Sequence, residues 1–81
     1  METRLAIISV LIEDREQSGK VNALLSEYGD YIKGRMGLPY PEKGVSVLSV
    51  VIDAPMEKIN SLTGKLGMLP SVSAKALASK F

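Results

Sequence analysis

Histidine and cysteine are both absent from this chain of 81 residues, so carboxylates, lysines, arginines, tyrosines and serines are the side chains left to do chemistry. Acid-base or nucleophilic catalysis needs a group tuned near the working pH and a partner oriented to use it. Ser9, Ser46, Ser49, Ser71 and Ser73 fall in strand-like runs, and none has the glycine arrangement of a nucleophile elbow. Enzymatic activity is therefore not expected. Glu13, Asp14 and Glu16 form the densest acidic cluster, but they lack the alternating spacing and central glycine of a calcium loop. Capping and solvation account for them. With no thiolate or imidazole, ligation of soft metals has no basis, and neither a metal site nor a cofactor is expected. The glycines never form a GxGxxG or Walker-type loop. Gly34-Arg35-Met36-Gly37 comes nearest to a ligand element, because two small residues beside a guanidinium let an anion reach backbone and charge together. A twisted strand carrying an outward arginine explains the same four residues.

The elements that would hold these residues repeat. An apolar strand, a capped amphipathic helix closed by glycine and a second strand run from Arg4 to Leu38, and the pattern returns from Val45 to Leu77. Leu5 to Ile12 is apolar on both alternating faces and predicts a central strand covered on each side. Asp14, with Gln17 three residues on, can form a capping box for a helix over about Glu16 to Tyr28, with Gly29 as a left-handed cap. Asp30 to Leu38 alternates with period two, setting Ile32, Gly34, Met36 and Leu38 on one side. The proline-bracketed Leu38 to Gly44 reads as a hairpin loop that cannot pair as regular strand. Val45 to Ile52 repeats the central character of the first strand, and Pro55 opens a second helix with Ile59, Leu62 and Leu66 inward and Gly67 at its close. A short, serine-interrupted strand over about Ser71 to Ala78 suits an edge.

Two such split units make an α+β, ferredoxin-like βαββαβ sandwich: a four-stranded antiparallel sheet of order 4-1-3-2 with both helices on one face. The other face of the two central strands is apolar and has no cover from its own chain. A stripe of a few hundred Å² signals a partner, so a homo-oligomer is expected, a dimer at least. The chain reads as a single domain over residues 1–81, burying only about 60–65% of its unfolded surface. Ten basic against nine acidic residues give a net charge of +1, without the excess that phosphate-backbone binding needs. Tyr31 and Tyr40 are the only aromatics placed near the sheet surface, too few for base stacking. No nucleic acid, membrane span or signal peptide is expected, and the default location is cytoplasmic.

Tyr28-Gly29-Asp30-Tyr31-Ile32-Lys33-Gly34-Arg35-Met36-Gly37-Leu38-Pro39-Tyr40, then Gly44-Val45-Ser46-Val47 and Asn60-Ser61-Leu62-Thr63-Gly64-Lys65-Leu66-Gly67, form a specific string. With it the chain resembles the small ACT-like regulators of the iron-only hydrogenase system over nearly its whole length. The fold is also similar to the carboxy-terminal domain of the nickel-responsive repressor and to amino-acid-sensing ACT domains. The repressor's nickel ligands, histidines and a cysteine, have no counterpart here, so nickel sensing does not carry over. The resemblance implies a regulator acting through a small ligand or a protein partner; a purely structural interaction module is the alternative. It further implies a ligand locus at the first strand-to-helix turn. Asp14 and Arg15 stand there, with Asn22 one to two turns along the helix and Arg35 on the neighbouring strand, a set suited to a small anion or zwitterion.

Overall fold

The computed structural model describes residues 2–80. Its strands are β1 (Arg4–Ile12), β2 (Ile32–Tyr40), β3 (Val45–Ala54) and β4 (Val72–Ala78), and its α-helices are α1 (Ser18–Glu27) and α2 (Met56–Gly67). The sheet order is β2-β3-β1-β4, with every neighbouring pair antiparallel. This is the expected βαββαβ arrangement, 4-1-3-2 read from the opposite edge. β1 and β3 lie side by side from Arg4 opposite Ala54 to Ile12 opposite Ser46. Alternation then sorts their side chains. Ala6, Ile8, Val10 and Ile12, with Leu48, Val50, Ile52 and Ala54, are buried with Val21 and Leu25 of α1 and Ile59, Leu62 and Leu66 of α2. Both helices therefore cover one face. Full burial of an aliphatic side chain stabilises by about 1.5–3 kcal/mol, so this single cluster is the main source of stability.

Several local expectations give way to the packing. Helix one is preceded by a separate 3₁₀ turn, Arg15–Gln17, in which the Asp14 carboxylate accepts the Glu16 N–H at 3.0 Å. Gln17 turns inward instead of completing a capping box, and its Oε1 is buried without a hydrogen-bond partner. Gly29 and Gly67 are not left-handed caps. The chain leaves both helices through short backbone turns, among them Tyr31 N–H to the Tyr28 carbonyl and Leu69 N–H to the Leu66 carbonyl. Among the described residues the left-handed glycine is Gly44, at φ 64°. It follows a 3₁₀ turn at Pro41–Lys43. That turn lets the β2–β3 hairpin close at once, so Leu38, Pro39 and Tyr40 pair with Val47, Ser46 and Val45. The expectation of an unpaired proline loop fails because β2 is an edge strand, where a missing N–H can face away from the ladder.

The register of β2 also differs from a simple alternation. Ile32 lies opposite Ile52, yet Gly34 lies opposite Val51, so Lys33 is an extra residue in a β-bulge. Ile32 joins the core side, while Gly34, Met36, Leu38 and Tyr40 turn to the uncovered side and Arg35 and Gly37 turn toward the helices. The uncovered face collects Leu5, Ile7 and Leu11 of β1, Val47 of β3, Met36, Leu38 and Tyr40 of β2 and Leu77 of β4, all exposed. Ser9 and Ser49 lie opposite each other in its middle, in line with Lys75 and Met36.

Candidate ligand site

The groove between α1 and the β2–β3 hairpin is built from three elements. Arg15, Ser18 and Asn22 follow one another at spacings of three and four, which places them on one side of the 3₁₀ turn and α1. Arg35 and Gly37 come from the helix-facing side of β2, opposite Val50 and Leu48. Ser46 of β3 closes the floor. The groove has two lobes. One of about 270 Å³ is lined by Ser18, Asn22, Arg35, Gly37 and Ser46 among others. The other, of about 600 Å³, is lined by Arg15, Ser18, Pro39, Tyr40, Pro41 and Ser46 among others. Ser18, Pro39 and Ser46 are common to both. A Cβ added at Gly37 would stand 3.7 Å from Leu48 Cδ1, an ordinary contact.

Arg35 Nη2 donates to Asn22 Oδ1 at 2.7 Å, a bond that ties strand to helix across the groove. A guanidinium carries five donors in a fixed fork, so this contact orients it and leaves donors for an anion. Of the four residues expected at the site, Arg15, Asn22 and Arg35 thus line one groove. Asp14 is not among its lining residues; its carboxylate caps the turn. The hydroxyls of Ser18 and Ser46 and the Pro39-Tyr40-Pro41 wall were not anticipated, since they enter only once the hairpin pairs to its end.

A second polar cluster lies at the far end of α1. The buried Tyr28 places its hydroxyl 2.9 Å from Ser61 Oγ of α2, and Lys65 Nζ sits 5.3 Å from the centre of its ring. The Ser61 hydroxyl and then the Lys65 ammonium pull the Tyr28 phenol below its ordinary value, and the phenol holds the Lys65 ammonium above its own. From the sequence Tyr28 reads as one more core position. The available signal was the spacing of Lys58, Ser61 and Lys65, three and four apart on one side of α2. Among the described residues no group of three carboxylates could hold a metal ion, and no helix is long and apolar enough to cross a membrane.

Residues 4–76 match the model of the TM1266-like family, described as "Iron-only hydrogenase system regulator, putative". The chain belongs to this family. The structure of the uncharacterized protein TM1266 from Thermotoga maritima is 32% identical and superposes with a TM-score of 0.92, over 98% of this chain and 100% of that one. The crystal structure of the ACT domain from the GTP pyrophosphokinase of Chlorobium tepidum is 19% identical, with a TM-score of 0.78 over 93% and 99% of the two chains. A third likeness is to CPII, a nitrogen regulatory PII-like protein from Thiomonas intermedia bound to ADP, AMP and bicarbonate. It is 12% identical, with a TM-score of 0.55 over 98% and 99%. These last two share the fold with this family member, which is ACT-like. No curated protein matches the sequence.

Proposed function

We propose that this chain is a non-enzymatic regulatory module of an iron-only hydrogenase system. It binds a small anionic or zwitterionic ligand in the α1–hairpin groove and works in the cytoplasm as a homo-oligomer joined through the uncovered sheet face. The observation that carries the ligand reading is the Arg35 guanidinium, fixed by Asn22 at 2.7 Å on the wall of an open groove that continues to Arg15. A carboxylate of the ligand takes the free side of the guanidinium. Family membership supports regulation, and the ACT-domain likeness supports a module of this size.

The test is a thermal-shift and NMR screen of the twenty amino acids and of short mono- and dicarboxylates, repeated on Arg15→Ala and Arg35→Ala. A charge-assisted bond contributes about 1.5–3 kcal/mol, so loss of either arginine should weaken the best hit by roughly tenfold or more. Fold and oligomer should stay unchanged, because both side chains are exposed. Equal affinity in both variants would remove the groove. The uncovered apolar face favours a second reading, an interaction module with no ligand. A chain that associates normally while no compound in the screen binds would select it.

A further inference from the structure

We propose a second anion site, separate from the groove: the recess between the end of α1 and the outer side of α2 takes a phosphoryl dianion, as inorganic phosphate or as a small phosphate ester. The recess encloses about 390 Å³ and is lined by Glu27, Tyr28, Tyr31, Lys58 and Lys65. Lys58 and Lys65 are seven residues apart on α2, two helical turns, with Ser61 between them. Both line the same recess as Tyr28, whose hydroxyl pairs with that of Ser61. In that pair one hydroxyl donates to the other at 2.9 Å, which leaves one O–H to donate outward.

Packing explains only part of this cluster. Lys65 is occupied over the Tyr28 ring. Lys58 is not: its N–H bonds the Pro55 carbonyl, but among the described residues its ammonium has neither a ring nor a hydrogen-bond partner. Two ammonium charges match a dianion, and Glu27, also in the lining, leaves the walls with a net single positive charge. The two charges favour a phosphoryl dianion over a singly charged carboxylate. They are compact ammonium groups, since no arginine lines this recess. Separate point charges and a hydroxyl suit a tetrahedral group whose oxygens diverge. The depressed Tyr28 phenol agrees, since surroundings that favour a phenolate favour an external anion in the same place. The ring of Tyr31 offers a wall for the organic part of an ester.

The experiment is a ¹H–¹⁵N NMR titration of the full chain with inorganic phosphate and with phenyl phosphate at constant ionic strength and pH 7.5. Phosphate esters are then mostly dianionic, their second pKa lying near 6. Saturable shifts are expected at Glu27–Tyr31 and Lys58–Lys65. Tighter binding of phenyl phosphate identifies an ester as the ligand, and equal binding identifies free phosphate. The Lys58→Gln and Lys58→Gln/Lys65→Gln variants should lose affinity progressively, roughly tenfold in the double variant, while Arg15→Ala/Arg35→Ala stays within about twofold. Lys58 is exposed and outside the core, so the single variant keeps its fold even if the double does not. Non-saturating shifts, shifts that gather at Arg15 and Arg35, or unchanged affinity in Lys58→Gln would overturn the proposal. Failure of the groove screen leaves it standing, since the two sites share no residue.

Discussion

Tyr28 is the residue in which packing and electrostatics meet most closely. It lies in the core cluster, yet its hydroxyl reaches Ser61, 33 positions away. Because its folded-state value lies below the ordinary 10.0, the phenol adds nothing to stability in acid; it contributes as pH rises through that lowered value and in full above 10.0. Lys65 runs the other way, contributing below its ordinary 10.5 and losing that contribution as pH climbs through its raised value. Spectrophotometric titration near 295 nm should therefore show one phenol ionising early, and Lys65→Gln should move it back toward 10.0. No displacement in the variant would mean that the lysine does not govern the phenol. The sequence shows only that Ser61 and Lys65 share one side of α2; it does not show that Tyr28, which has the helical spacing of a core residue, meets them. The convergence of Arg15, Asn22 and Arg35 was more accessible, because the family resemblance implied a locus at the first strand-to-helix turn.

At the scale of elements, the strand order and both helices follow from periodicity, since two doubly apolar strands must be central and the glycine-rich and serine-interrupted ones must be edges. The details of β2 do not follow. Ile32 and Gly34 have the same parity in sequence, and only pairing with β3 reveals that Lys33 is extra and that they face opposite ways. Likewise, Pro39 reads as a breaker until the edge position of β2 is known. Deleting Lys33 should then restore a regular ladder and leave Met36, Leu38 and Tyr40 on the uncovered side, at a cost of about 1 kcal/mol or less. Deleting Met36 should invert the end of the strand and cost several times more, because a one-residue slip exchanges faces. Chemical denaturation of the two deletions, compared by midpoint, decides the matter; equal losses would show that the bulge gives no slack.

For the whole molecule, the decisive asymmetry is one covered sheet face and one bare one. The bare face carries nearly all of the exposed large apolar side chains, Met68 excepted. Leu11→Lys places a charge between Val47 and Ser73. It should leave the protomer folded, since Leu11 is already 46% exposed. Sedimentation should show association weakened on the order of a hundredfold or more, the consequence of burying an unpaired ammonium. Association that is unaffected by this change would place the interface elsewhere.

The strand β2 is a wall with two tenants. Its odd residues Arg35 and Gly37 look into the groove and Met36 looks out of the bare face, while Leu38 and Tyr40 of that face also border the groove, so one extended chain lies between the proposed ligand and the proposed partner. Thermodynamic reciprocity applies to such a wall. If an occupant of the groove changes the association constant by some factor, association changes the occupant's affinity by that same factor. Protein concentration then becomes a variable of ligand sensing, and the module reports how much of itself is present together with how much ligand there is.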